Sequence, residues 1–243
     1  MGLAELRVGT SGWHYQHWKG LFYPPGLGSG EWLSFYAEHF DTVEINNSFY
    51  RLPSRETFVS WRESTPGGFT FAVKANRFIT HVKRLRDPHE PLARFLRSAA
   101  ALEGKLGPIL FQLPPRWKAA PERLRDFVRS LPPGHRYAFE FRDPSWFVPE
   151  IYRILAEANC ALCAASSPSF PEVRRATADF AFLRFHGGRV LYGSKYSREE
   201  LGEWASYARR LLREGRDVYA YFNNDAYGYA LEDARLFLRL LRA

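Results

Sequence analysis

Short apolar runs recur eight times along the chain, at residues 6–10, 42–46, 69–74, 109–113, 137–142, 161–165, 180–186 and 218–223. Longer stretches with apolar residues three and four positions apart separate them. Runs of this length, rich in Val, Ile, Phe and Tyr, read as buried strands, and the amphipathic stretches read as helices. Helices are predicted over 32–40, 55–63, 91–106, 121–131, 149–158, 198–214 and 229–241, with a short, degenerate sixth one near 171–176. Ser54 is placed to cap the second, and Pro91 and Pro121 open the third and fourth, where a missing N–H costs nothing. Eight strands alternating with helices over 243 residues predict one domain, 1–243, folded as a parallel (β/α)₈ barrel of TIM type. Such a barrel places its chemistry at the C-terminal ends of its strands.

Alternation within the strands says which residues meet there. Side chains two apart share a face, so Glu44 goes with Asn46, Glu140 with Arg142, and Arg184 with His186. Their neighbours Val43, Ile45, Phe139, Phe141, Leu183 and Phe185 occupy the opposite face. Lys74, Gln112 and Asn223 fall at or near the ends of the third, fourth and eighth strands. The apolar face packs on the helices, so the polar face is expected to turn into the barrel mouth. A charge placed there needs a partner.

Composition narrows the partners. The net charge is +8, with 28 arginines against 6 lysines, which favours anionic ligands: a small anionic substrate or a nucleic-acid fragment. Arginines on the helices, such as Arg94, Arg97, Arg209 and Arg213, are instead expected on a solvated outer face. The chain has no apolar run long enough to cross a bilayer and does not open with a basic segment followed by an apolar one, so no membrane partner and a cytoplasmic location are expected. Cys160 and Cys163 lie beside and in a predicted buried strand and read as structural thiols.

Several segments in order along the chain carry a resemblance: VGTSGWHYQHWKGLFYPPGL, TVEINNSFYRLP, FAVKANRFITH, KLGPILFQLPP, FEFRDPSW, LRFHG and VYAYFNND. Together they resemble the YecE-like family, also called domain of unknown function 72. The resemblance covers essentially the whole chain and implies a TIM-type barrel, in a soluble and mostly prokaryotic protein. It implies no established activity, so candidate sites come from the residues themselves.

The leading reading is a hydrolase for an anionic, phosphate-containing substrate. Lys74, Arg142 and Arg184 bind charge, as guanidinium forks match phosphate bidentately. His186 and Glu140 handle protons, and Glu44, Gln112, Asn46 and Asn223 orient the substrate. Trp13 and Tyr50 stand among aromatics that could stack on a base or sugar. A second reading is a glycoside-processing enzyme using Glu44 and Glu140, which requires both carboxyl groups to be free of cationic partners. Against it stands simple ion pairing, Glu140 with Arg142 or Arg184 and Glu44 with Lys74. A third is a non-catalytic module that binds a nucleotide or nucleic acid with the same cations. No metal-ligand spacing gathers the histidines and carboxylates, and no GxGxxG or GxxxxGK[ST] specifies a cofactor. His14 and His17 lie near enough in the same loop to contribute, though lone loop histidines are more often only solvated.

Overall fold

The computed structural model describes residues 4–242. All eight expected strands form: β1 (Leu6–Thr10), β2 (Thr42–Ile45), β3 (Thr70–Lys74), β4 (Leu106–Gln112), β5 (Tyr137–Glu140), β6 (Ala161–Ser166), β7 (Phe180–Phe185) and β8 (Asp217–Phe222). They pair in parallel in the order β1-β8-β7-β6-β5-β4-β3-β2. The helices are α1 (Trp32–Ala37), α2 (Asn47–Tyr50), α3 (Arg55–Glu63), α4 (His89–Ala99), α5 (Pro121–Arg129), α6 (Pro149–Glu157), α7 (Arg198–Arg213) and α8 (Tyr229–Arg242). None of the described helices is long and apolar enough to cross a membrane.

Between β1 and β2 a single parallel bridge, Ser11 to Glu44, closes the ring. The two backbones come so close that a Cβ on Gly9 would lie 2.1 Å from the Thr42 carbonyl oxygen. The Tyr36 hydroxyl of α1 fills in for ladder bonds at this seam. It accepts the Thr10 N–H at 2.9 Å and donates to the Thr42 carbonyl at 3.1 Å.

Inside the barrel, small residues on one side make room for rings on the other. Ala72, Ala138, Ala161, Cys163 and Ala165 face Phe180, Phe182, Tyr219 and Tyr221. Above this apolar plug, toward the strands' C-terminal ends, the interior becomes ionic. Cys160 and Cys163 are free and buried, and burial pushes the Cys160 thiol up to about 12.

Three helix expectations change. The helix expected over 32–40 stops at Ala37. The one expected over 91–106 is α4 followed by a tighter turn, Ala100–Lys105, broken at Glu103, where φ is 51°. Leu106 then pairs with Phe71 as the first residue of β4. No helix forms near 171–176. Arginine stacking covers the barrel there instead. The Arg174 guanidinium lies 4.1 Å over the Trp204 ring of α7, and that of Arg175 lies 4.6 Å over Tyr152 of α6.

Candidate functional site

Glu44, Glu140 and Arg184 reach the barrel interior from β2, β5 and β7, and none touches solvent. Arg184 joins the two carboxylates. Its Nε and Nη2 donate to Glu44 Oε2 and Oε1 at 2.8 and 2.7 Å, and its Nη1 donates to Glu140 Oε2. Arg142, two residues beyond Glu140, donates from Nε to Glu140 Oε1 at 2.8 Å. Burial alone would push the Glu140 carboxyl up, but Arg184, Arg142 and His186 outweigh it and hold it well below the usual carboxylate range. It stays ionised and is no proton donor at neutral pH.

This arrangement corrects two expectations. Glu44 pairs with Arg184, across the barrel, and not with Lys74. Two carboxylates clasped by one guanidinium are also not the free pair that glycoside chemistry requires.

His186 is sealed in the same layer. Its Nδ1 lies 3.1 Å from Asn223 Nδ2 and its Nε2 3.4 Å from Glu140 Oε2, which suits a neutral ring with the proton on Nε2. Burial brings its pKa down to about 4, with Arg184 and Arg142 adding to the effect and Glu140 opposing it. Gly187, which follows, has φ 101°, and a Cβ there would meet the Val190 carbonyl at 2.3 Å. Only glycine lets the chain turn away this sharply after the buried ring.

Lys74 differs from the other cations of this cluster. Two arginines already match the two carboxylates, and the Lys74 amine has no hydrogen bond or ion pair to a protein group among the described residues. It sits 4.0 Å above the Phe49 ring and is 9% exposed. Burial lowers its pKa to about 7, helped by Arg184 and resisted by Glu140 and Glu44. It opens into a mouth cavity of about 390 Å³ whose wall includes Tyr15, His17, Asn46, Tyr50, Tyr192 and Asn223. Asn46 Oδ1 is buried here without a partner, an acceptor with nothing to accept.

The opposite wall holds a pair that the sequence does not advertise. Asp225, just beyond β8, is buried and accepts Trp18 Nε1–H at 2.8 Å and His17 Nε2–H at 2.9 Å. Burial pushes its carboxyl up to about 6, against the pull of Trp18 and His17. A histidine donating from Nε2 keeps Nδ1 as a free acceptor. His17 is thus an oriented member of the cavity wall. The two residues lie 208 positions apart, so no local spacing could have signalled the pair.

Of the residues singled out from sequence, Lys74, Asn46, Asn223 and Tyr50 line this cavity. Arg142 approaches its edge, with Nη2 3.5 Å from the Tyr192 hydroxyl. Glu44, Glu140, Arg184 and His186 form the buried layer beneath. Gln112 is buried and spends its amide on the Leu113 carbonyl at 3.0 Å. Trp13 leaves the mouth altogether: it is buried, edge-on to Trp61 at 5.1 Å. A larger groove of about 600 Å³ lies outside the barrel beside α5. It has no buried ionisable group, so the mouth is the candidate site. Among the described residues, no three His, Cys, Asp or Glu side chains converge as metal ligands.

The chain is similar to solved and named proteins over most of its length. A DUF72 family protein from Thermotoga maritima superposes with a TM-score of 0.89 at 32% identity, covering 98% of this chain and 100% of that one. The UPF0759 protein YunF of Bacillus subtilis is 29% identical over 97% of this chain and 94% of its own length. The UPF0759 protein YecE of Escherichia coli is 34% identical, but over 58% of this chain and 50% of its own. A D-psicose 3-epimerase from Clostridium cellulolyticum shares the barrel alone, with a TM-score of 0.58 at 13% identity. With residues 7–243 matching its model, the chain belongs to the family of proteins of unknown function DUF72.

Proposed function

We propose that this protein is a hydrolase acting on a small anionic, phosphate-bearing substrate in the mouth cavity. The observation that carries this reading is Lys74, a cation in excess over a cluster whose carboxylates are already matched. A buried lysine without a counter-ion favours its neutral form. An anion entering the cavity supplies the missing charge, so substrate and proton bind together.

In this reading Lys74 and Arg142 take the phosphate charge, and Asn46 and Asn223 orient the remainder of the substrate. The unpartnered Asn46 Oδ1 suits a substrate that offers a hydroxyl or amino donor. His17, aimed by Asp225, takes a proton from the attacking water through Nδ1. The proton-handling role expected of Glu140 and His186 passes to that pair. Glu44, Glu140, Arg184 and His186 act as positioning residues that hold the floor of the site rigid. The two free buried thiols fit the reducing cytoplasm as its place of work.

Steady-state turnover of a panel of phosphate mono- and diesters tests this. Lys74→Met and Asp225→Asn should each lower kcat/KM by about 100-fold or more, since positioned acid–base groups contribute on that scale. Absence of turnover across the panel, or wild-type rates in Lys74→Met, overturns the proposal.

A further inference from the structure

The chain's charge is not spread evenly around the barrel. Seven connections lead from a strand's C-terminal end to the next outer helix: residues 11–31, 46–54, 75–88, 113–120, 141–148, 186–197 and 223–228. They hold eleven Lys and Arg against four Asp and Glu, an excess of seven, when the whole chain carries +8. Strands, helices and the opposite face are together almost neutral. Each of the four carboxylates is buried or already has a partner. Asp143 and Asp225 are buried, Asp87 pairs with Lys83, and Glu31 binds the Gly28 N–H. Apart from Arg142, the arginines face outward. Arg51, Arg77, Arg84, Arg116 and Arg189 are exposed and have no ion-pair partner among the described residues.

Apolar exposure is confined to the same face. All seven large hydrophobic side chains that are exposed among the described residues lie in these connections, with Tyr50 73% and Tyr227 68% exposed. Most proteins scatter such residues, so their collection on the one cationic face calls for a ligand.

We infer that the mouth face binds single-stranded nucleic acid, its phosphates lying along the ring of free arginines and one nucleotide entering the cavity. This deepens the proposed function, on which it rests, by naming the substrate class. Three features select this occupant. A cationic rim with exposed tyrosines matches a polyanion whose bases have flat faces. A recessed cavity of about 390 Å³ suits an unpaired nucleotide, whereas a flat anionic bilayer would span its entrance. The buried Asn46 oxygen and the Asn223 amide offer acceptor and donor to a base edge, which a duplex would keep paired.

The test is fluorescence anisotropy of the full chain with a labelled oligonucleotide of about a dozen nucleotides, beside its abasic counterpart and the same strand in a duplex. The base-bearing single strand should bind more tightly than either. Its affinity should fall with salt at a log–log slope of about −3 to −4, for about five phosphate contacts. Arg77→Glu and Arg189→Glu, both exposed and outside the catalytic machinery, should weaken binding about tenfold each, and Tyr50→Ala about fivefold. Equal affinity for the abasic strand, or equal retention on phosphatidylglycerol vesicles, overturns the inference, because charge alone would then account for binding. Binding and ester turnover measured side by side on the wild-type protein separate the two proposals. Oligonucleotide binding that persists without any ester turnover sinks only the hydrolase, and turnover of small esters without oligonucleotide binding sinks only this inference.

Discussion

Arg184 and Glu44 meet through two parallel N–H···O bonds of 2.8 and 2.7 Å, from opposite sides of the barrel, with neither side chain exposed. The same guanidinium also holds Glu140. One residue therefore joins two buried carboxylates, and its removal strands Glu44 and leaves Glu140 with Arg142 alone. Arg184→Met should cost about 3–5 kcal/mol, the scale for breaking a buried pair and leaving its charge uncompensated. Arg184→Lys should recover little, because an ammonium cannot present two parallel donors to Glu44 and a third to Glu140. Urea denaturation of the two variants reads this directly. A loss under 1 kcal/mol in Arg184→Met would mean the layer contributes little to the fold.

Glu140 gives the acid limb of stability. Its folded-state pKa lies below the ordinary 4.5, so the native chain releases this proton more readily than the unfolded one. Its contribution is complete above pH 4.5, declines as the pH falls below that, and is gone once the pH passes the folded-state value. In Glu140→Gln that decline should be absent, and the variant should be less stable than wild type at neutral pH because Arg142 and Arg184 each lose a partner. Thermal midpoints followed down from neutral pH check both statements. Parallel acid profiles for the two proteins would exclude Glu140 as the source.

The strands were legible because each combines an apolar outer face with period-two alternation, and the alternation also indicated Glu44, Lys74, Glu140, Arg184 and His186 as inward residues. What alternation cannot supply is depth. A residue on the inner face may lie in the open mouth or one layer below it, and Glu44, Glu140 and His186 lie below, in contact with Arg184 instead of solvent. Trp13 went astray for a related reason: loop aromatics near a mouth can fold back onto the outer helices, as it does against Trp61. The pairing of His17 with Asp225 was missed because it exists only after the first and eighth connections meet across the closed ring. The helix expected near 171–176 does not form. Its covering role fell to arginine stacking, which has no periodic signature.

Tyr36 should matter to the fold out of proportion to its place on an outer helix. Its hydroxyl serves the Thr10 N–H and the Thr42 carbonyl at the one seam where strand ladders do not close the barrel. Tyr36→Phe keeps the ring packing against Phe40 and Trp18 but leaves two buried backbone groups unpaired. That should cost about 1–3 kcal/mol. Hydrogen exchange at Thr10 should accelerate by more than the global loss of stability accounts for. An unchanged urea midpoint would mean that water takes over the hydroxyl's place.

Lys74 gives the alkaline counterpart, with the opposite sign. Its amine falls from an ordinary 10.5 to about 7 in the folded protein, chiefly through burial. Between those values the unfolded chain holds a proton that the native chain has released, so stability rises with pH across that window. One such group contributes at most about 1.4 kcal/mol per pH unit, and below the window the full cost of burying the ammonium is felt. Lys74→Met should therefore be the more stable protein at about pH 6, roughly a unit below the folded-state value, by a margin that shrinks as the pH rises toward about 9. Inorganic phosphate should flatten the wild-type slope, because an anion in the cavity restores the ammonium, and should leave the variant's slope unchanged. Urea midpoints for both proteins across this range, with and without phosphate, measure each effect. Identical slopes would place the Lys74 amine in contact with bulk water and remove the excess cation on which the functional reading stands.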